Sequence, residues 1–163
     1  MLEEADIEDG HRVLEPSAGK GDIMDLVCSE HPTANVTGIE QNHSLQEILH
    51  AKGYGDSVEF GDFLDHRGDY DRILMNPPFE NRADAQHVRH AFELLSDNGR
   101  VVAIMSKGPF TCSDKASTEF RGWLESKDHT VIDLPDGAFQ GVEAFRQTGV
   151  RSVLVVIENR ESA

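Results

Sequence analysis

The sequence predicts an α/β fold with a seven-stranded, mostly parallel sheet, helices on both faces and an antiparallel C-terminal hairpin. Short apolar and β-branched runs alternate with segments of helical spacing, a pattern typical of parallel α/β sheets. The run RVVAIM, residues 100–105, is apolar on both faces, as a central strand would be. No helical segment separates the last two apolar runs, so we expect them to pair as a hairpin.

Each predicted element follows from the local spacing of apolar residues and from the glycines and prolines that bound it. The predicted strands cover residues 11–15, 34–40, 57–60, 70–75, 99–105, 130–134 and 151–158. The predicted helices cover residues 23–31, 44–52, 84–95 and 113–126. In the third of these helices, Val88, Ala91 and Phe92 fall on one face. In such sheets ligands bind beyond the carboxyl ends of the strands, where the strand order reverses.

Charge restricts the class of partner. The net charge of −15 argues against a surface that clamps nucleic acid over its whole extent. Residues 1–75 carry 17 acidic and 5 basic residues, a charge of −12, whereas residues 76–163 carry −3. A bound polyanion should therefore approach the second half of the chain.

Other sequence features predict a cytoplasmic protein without a membrane span or a metal site. No apolar run approaches the ~20 residues that a membrane span needs. The acidic N-terminus lacks the apolar segment of a signal peptide. Cys28 and Cys112 are far apart and lack metal-ligand spacing, which suggests packing residues in a reducing compartment. His87 and His90 share a predicted helix, and we expect them on the surface.

Three motifs follow the first three predicted strands. EPSAGKGD, residues 15–22, contains two glycines that let the backbone turn sharply and approach a ligand, although an ordinary turn would also use them. Glu40 in GIEQN lies 21 residues after Gly19, a spacing common for acids that bind ribose hydroxyls. A solvated acid is the alternative. GDFLD, residues 61–65, offers a carboxylate for an exocyclic amine and a ring for stacking, and an unspecialised loop remains the alternative.

The most specific motif is NPPF, residues 76–79, directly after the strand 70–75. Asn76 precedes a proline, which biases its backbone to the extended region. Pro77 and Pro78 fix the next two φ angles, so the turn is rigid. The amide oxygen and a proline carbonyl could accept both hydrogens of a planar amine, while Phe79 stacks on its plane.

VLEPSAGKGDI and NPPF together carry a family resemblance that spans residues 11–158. The sequence resembles the class I S-adenosylmethionine-dependent methyltransferases, in the branch with an Asn/Asp-Pro-Pro-aromatic motif. That branch includes DNA adenine-N6 and cytosine-N4 methyltransferases, some RNA methyltransferases and glutamine methyltransferases of release factors. The resemblance implies a Rossmann-like fold and S-adenosylmethionine as cofactor.

The resemblance also implies a set of cofactor-binding residues. The methionine part of the cofactor would be lined by residues of the first loop, namely Glu15, Pro16, Ser17, Ala18, Gly19 and Gly21. Glu40 would hold the ribose hydroxyls, with Gln41 beside the adenine. Asp62 would accept from the adenine N6, with Phe63 packing near it.

The implied catalytic residues are those of NPPF. Asn76 and Pro77 would hold the acceptor amine, Pro78 would complete the rigid turn, and Phe79 would stack on the acceptor. Positioning would then supply most of the catalysis, because the methyl of a sulfonium is already activated. A strong general base is not required.

The acceptor predicted first is adenine N6 of DNA, with an RNA base or a protein glutamine as alternatives. Residues 1–163 are predicted to form a single methyltransferase domain without a separate target-recognition domain. A protein partner could therefore supply recognition, and a non-catalytic cofactor-binding subunit is a further alternative. Candidates for phosphate contacts lie near loops after the later strands: Lys107, Lys115, Arg121, Arg146 and Arg151. Solvated surface charge is the other interpretation of these residues.

Overall fold

The computed structural model describes residues 1–135 and 151–160. The strands are β1 Arg12–Glu15, β2 Asn35–Glu40, β3 Val58–Phe60, β4 Tyr70–Met75, β5 Leu95–Ser106, β6 Asp128–Asp133 and β7 Ser152–Glu158. The helices are α1 Leu2–Ala5, α2 Asp22–Glu30, α3 His43–Ala51, α4 Ala83–Glu93, α5 Gly108–Thr111 and α6 Lys115–Glu125. Two short 3₁₀ turns cover Phe63–Asp65 and Glu80–Arg82.

The seven strands form one sheet in the order β3-β2-β1-β4-β5-β7-β6. The first five strands in this order run parallel to one another. β7 lies antiparallel between β5 and β6. The predicted mostly parallel sheet with an antiparallel hairpin is therefore confirmed.

Helices cover both faces of the sheet, as predicted. On one face, α4 and α6 pack on apolar side chains that include Val101, Ala103 and Met105 of β5. On the other face, α1 and α2 pack on a cluster that includes Val102 and Ile104. Because neighbouring residues of β5 point to opposite faces, both of its faces are buried, which confirms the central placement of RVVAIM.

The structure differs from the prediction at the start of β5 and in two short helices. β5 begins at Leu95, where Tyr70 pairs with Leu95, and an irregularity follows before Arg72 pairs with Arg100. Asn98 in this irregularity has a left-handed φ of 61°. The four-residue helices α1 and α5 were not predicted, because one turn gives no measurable periodicity.

One further observation concerns membrane spans, and one prediction concerns domain organisation. Among residues 1–135 and 151–160, no helix is long and apolar enough to cross a membrane. The single-domain organisation of residues 1–163, without a target-recognition domain, stays a prediction.

Candidate active site

The strand order reverses between β1 and β4, because β2 and β3 lie on one side of β1 while β4 and β5 lie on the other. In open parallel sheets this reversal opens a crevice at the carboxyl ends of the two strands. The loop after β1, which we call the glycine loop, begins at Pro16, and the loop after β4 begins at Asn76. The fold therefore brings the glycine loop and NPPF to the two sides of one crevice.

The loop after β1 is tied to β2 through backbone hydrogen bonds. The amide of Ala18 donates to the carbonyl of Ile39 at 2.9 Å, and the amide of Gly21 donates to the carbonyl of Ala18 at 2.7 Å. Gly19 and Gly21 have φ values of 56° and 87°, which residues with side chains rarely adopt. Pro16 is buried and Ser17 half-buried within the same loop. The sharp turn predicted from the two glycines is present.

Glu15 is a buried carboxyl group directly before this loop. Its side chain is 3% exposed, and its Oε2 accepts from the amide of Met24 at 3.1 Å in the first turn of α2. Burial raises its pKa well above the usual value, and the nearby acids Asp22 and Glu40 raise it further. Such a shifted carboxyl group at a strand end is typical of a ligand site.

Glu40 ends β2 and connects two loops. Its Oε2 accepts from the amide of Gly19 at 2.8 Å, and its Oε1 accepts from the amide of Asn42 at 2.7 Å. Each carboxylate oxygen keeps a second lone pair for a ligand. Gln41 beside it is exposed. Glu40 can therefore accept from hydroxyl groups while its orientation is held by the backbone.

Gly38 makes the close packing around this loop possible. A Cβ at this position would lie 2.6 Å from Met24 Sδ, and 3.2 Å from both Ala18 Cβ and Val58 Cγ2. The absent side chain lets α2 and the loop after β1 lie directly against β2. The sequence motif GIEQN contains this glycine, although its packing role was not predicted.

The loop after β3 places Asp62 and Phe63 differently from each other. Asp62 is exposed, and its Oδ1 accepts from the amide of Leu64 at 2.9 Å. Phe63 is 3% exposed, and its ring centroid lies 5.4 Å from that of His87 and 4.8 Å from that of His90. The expected surface placement of these two histidines is wrong, because both rings pack against Phe63 and are partly buried.

His87 also carries a buried nitrogen atom without a hydrogen bond. Among the described residues, its Nδ1 is the one buried side-chain nitrogen or oxygen with no hydrogen-bond partner. Burial lowers the pKa of its imidazole, which favours the neutral ring. Its position on α4 beside Phe63 places this ring near the expected adenine end of the site.

The four residues of NPPF, directly after β4, differ in their exposure to solvent. Asn76 is exposed, whereas Pro77 is buried and Pro78 half-buried. Phe79 is partly buried and packs against the apolar cluster on the face of α1 and α2. The Asn76 amide is thus available to a ligand at the crevice, and the aromatic ring keeps one accessible part.

Two residues near NPPF were missed in the sequence. Asp84 is fully buried at the start of α4, and its Oδ2 accepts from the amide of Ser106 at 3.0 Å and from its hydroxyl at 2.8 Å. Arg82 contacts the first turn of α6. The sequence signal that could have identified them is the occurrence of an arginine and an acid shortly after NPPF. Phe110 of α5 packs edge-on against Phe120 of α6, with their ring centroids 5.8 Å apart.

The arrangement fits S-adenosylmethionine on the chemistry of its donors and acceptors. Glu40 offers carboxylate lone pairs suited to ribose hydroxyls. Gly38 and the left-handed glycines keep the loop after β1 free of side chains that would block a ligand. The exposed Asp62, after β3, can accept from an amine, and the buried Glu15 ends β1 directly before the glycine loop. These residues would hold S-adenosylmethionine. When bound, this cofactor supplies a methyl group that is already activated by a positively charged sulfur.

Comparisons with known proteins agree with this geometry. The family profile for the methyltransferase small domain matches residues 1–137. The modification methylase CviBIII of Paramecium bursaria Chlorella virus NC1A is 33% identical over 73 residues, which cover 43% of this chain. The chain spans only 19% of the length of that curated relative.

Solved structures share the fold. A putative class I S-adenosylmethionine-dependent methyltransferase from Listeria monocytogenes superposes with a TM-score of 0.74 at 12% identity, over 98% of this chain and 57% of the other. An RNA methyltransferase from Salinibacter ruber in complex with S-adenosylhomocysteine gives a TM-score of 0.64 at 18% identity, over 99% and 89%. At these identities the likeness shows the fold alone.

The family match covers most of the described residues and includes β1 to β6 with the whole crevice. The sheet order and the loops at its reversal point agree with that match. This chain belongs to the methyltransferase small domain family, and its fold is that of the class I S-adenosylmethionine-dependent methyltransferases.

Proposed function

We propose that this enzyme methylates an exocyclic nitrogen, with adenine N6 of DNA as the acceptor. The observation that carries the proposal is the exposed amide of Asn76, at the end of a buried strand and across the crevice from the glycine loop. An exposed amide followed by two prolines is a rigid acceptor of hydrogen bonds. A planar amine is the group that such a turn fits.

In the proposed reaction, Asn76 Oδ1 and the carbonyl of Pro77 accept the two hydrogens of the acceptor amine. Both contacts draw the nitrogen towards a tetrahedral, more nucleophilic form. Its lone pair then forms the new N–C bond, the S–C bond of the sulfonium breaks with its electrons returning to sulfur, and one proton leaves the nitrogen for water. The accepting oxygens also stabilise the positive charge that develops on nitrogen.

The cofactor roles proposed from the resemblance fit where these residues lie. The methionine part would be contacted by the last residue of β1 and by the loop that follows it, namely Glu15, Pro16, Ser17, Ala18, Gly19 and Gly21. Glu40 would hold the ribose hydroxyls with Gln41 beside the adenine, and Asp62 would accept from the adenine amine, with the buried Phe63 packing near it. Phe79 would stack on the acceptor with the part of its ring that remains accessible.

DNA is proposed before RNA because the curated relative is named a modification methylase. A base within a duplex would have to leave its stack to reach the crevice. An RNA base and a protein glutamine present similar planar amines and are the alternative acceptors.

Ion pairing near the crevice favours a partner that supplies target recognition. Lys107 Nζ lies 2.5 Å from Asp133 Oδ1, and Lys115 Nζ lies 3.7 Å from Glu119 Oε1. Arg121 donates to the carbonyls of Pro109 and Cys112, both at 2.8 Å. Lys107 and Arg121 are thus engaged within the chain, whereas the exposed Lys115 makes only a weak surface pair. Arg146 lies outside the described residues. Tight binding of nucleic acid would therefore need cations from elsewhere.

The test combines calorimetry with labelled methyl transfer to DNA, RNA and glutamine-containing peptides. Asn76→Ala should reduce transfer at least 100-fold while the affinity for S-adenosylhomocysteine changes less than twofold. Glu40→Ala should instead weaken that affinity at least tenfold, because a charge-assisted acceptor is lost. Transfer by Asn76→Ala at the original rate would refute the role of Asn76. Tight cofactor binding without transfer, with or without candidate partners, would favour the non-catalytic subunit.

A further inference from the structure

The turn that follows NPPF has an unfavourable backbone. Asn81 has φ 52° and ψ 31°, and Arg82 has φ 62° and ψ 26°. Left-handed conformations are disfavoured for residues with side chains because Cβ approaches the following carbonyl. Asparagine tolerates this region because its short polar side chain can hydrogen-bond locally, whereas arginine does not. The conformation of Arg82 therefore needs contacts outside the turn, and strain of this kind concentrates near functional sites.

The side chain of Arg82 supplies such contacts. Its Nε donates to Ser117 Oγ at 3.1 Å, and its Nη2 donates to Asp114 Oδ2 at 3.2 Å. Ser117 is fully buried, and its amide and hydroxyl both donate to Asp114, at 3.0 Å and 2.8 Å. We name Arg82, Asp114 and Ser117 the arginine latch. It joins the turn after NPPF to the first turn of α6.

Neighbouring residues show that the latch has a defined place in the fold. A Cβ at Gly108 would lie 2.6 Å from Arg82 Nη1, so the guanidinium group fits only over a glycine. The hydrogen bonds from Ser117 and Arg82 lower the pKa of Asp114 to about 2, which keeps it charged. Two residues further on, buried Asp84 holds Ser106 at the end of β5. The turn is therefore fixed to the first turn of α6, and the start of α4 that follows it is fixed to the end of β5.

We infer that the arginine latch sets the conformation of residues 76–82 and that Arg82 is a positioning residue for the proposed methyl transfer. The inference rests on the proposed function of Asn76. Arg82 would act through the backbone, since the chain from Asn76 to Arg82 is short and contains two rigid prolines. The proposed cofactor residues lie at the ends of β1 and β2 and in the loops after β1, β2 and β3. Among the described residues, no hydrogen bond or ion pair joins them to the latch. Loss of the latch should thus affect transfer and leave cofactor binding intact.

The first test measures kinetics and calorimetry on Arg82→Ala, with Arg89→Ala as the matched control. Arg89 is an arginine on α4 that contacts the ring of Trp123 and lies outside the latch. Arg82→Ala should lower kcat about 10- to 100-fold, as a displacement near 1 Å can do. Its affinity for S-adenosylhomocysteine should change less than twofold. Arg82→Lys should recover part of kcat, because the charge still reaches Asp114.

The second test is hydrogen exchange, which needs no acceptor. The amides of residue 76 and of residues 79–84, the non-proline positions of this segment, should exchange at least tenfold faster in Arg82→Ala than in the wild-type enzyme or Arg89→Ala. Asp114→Asn combined with Arg82→Ala should add little to either single change, because both remove the same contact. Unchanged exchange in these residues would overturn the latch.

The two proposals can fail separately. If the wild-type enzyme transfers methyl groups and Arg82→Ala keeps its kcat, the positioning role is overturned while the proposed function stands. If the wild-type enzyme transfers nothing to any acceptor, the proposed function fails. The exchange experiment then still decides whether the latch holds the turn.

Discussion

Replacing Gly38 with alanine should destabilise the protein and weaken cofactor binding together. The added Cβ would lie 2.6 Å from Met24 Sδ, where the flexible methionine can move aside. It would also lie 3.2 Å from Ala18 Cβ and Val58 Cγ2, which belong to a tied loop and a strand. Overpacking of this kind costs about 1–3 kcal/mol. For a protein of this size, a loss of about 2 kcal/mol corresponds to a fall in Tm of roughly 4–8 °C.

The effect on binding follows from the position of Ala18. Its amide donates to the carbonyl of Ile39, and the next amide, of Gly19, donates to Glu40. A shift of Ala18 away from β2 lengthens both bonds and moves the loop that would line the cofactor. We expect the affinity for S-adenosylhomocysteine to fall about tenfold, or roughly 1.4 kcal/mol.

The assays are denaturant unfolding and calorimetric titration, with Gly122→Ala as the control. Gly122 lies in α6, and a Cβ added there would meet no atom within 4 Å, so alanine should stabilise the helix by about 0.5–1 kcal/mol. The opposite signs separate packing at residue 38 from a general effect of the substitution. Wild-type stability and affinity in Gly38→Ala would refute the close-packing argument.

Three further predictions concern charge and burial. Glu15→Gln should raise the Tm of the cofactor-free protein at pH 8 and raise it less at pH 5. The pKa of Glu15 is higher in the folded wild-type protein than in the unfolded chain, where it is near 4.5, so the wild-type protein loses stability as the pH rises above that value. Glutamine carries no charge and avoids this loss. An equal gain at both pH values, in thermal scans, would contradict this. Asp84→Ala should lower the free energy of unfolding by about 2–3 kcal/mol, because the amide of Ser106 loses its buried acceptor. The control is Asp97→Ala, at an exposed aspartate. A loss in Asp84→Ala that exceeds the control by less than about 0.5 kcal/mol would contradict the role of this hydrogen bond. DNA binding should depend only weakly on salt, with a slope of log association constant against log salt concentration shallower than about −3. The reason is that Lys107, Lys115 and Arg121 have partners within the chain. A slope near about −6 in fluorescence titrations would show that those contacts open.

Local patterns in the sequence were sufficient to predict the sheet and the four loops at the crevice. The strand 70–75 was predicted with the observed bounds, because an apolar run ends there at two prolines. The glycine turn and the acid at the end of β2 were predicted from residue type and spacing. The start of β5 was missed, since LSDN lacks strand character and pairs only because Tyr70 lies opposite Leu95.

Contacts between distant residues could not be predicted in this way. Arg82 and Ser117 are 35 positions apart, and Asp84 and Ser106 are 22 apart. Nothing near either residue indicates its partner until the fold brings α4, β5 and α6 together. The two histidines of α4 were placed on the surface because helical spacing alone does not show that Phe63 lies against them.

The insertion of β7 between β5 and β6 has a consequence for synthesis on the ribosome. β7 is translated after both of its neighbours, and residues 134–151 separate it from β6. Until residues 152–158 emerge, the edge of β5 next to β4 is paired while its other edge is open, and β6 has no strand to join. Such an open apolar edge can pair with another nascent chain. A pause in translation between β6 and β7 should therefore increase aggregation more than a pause anywhere earlier in the sheet.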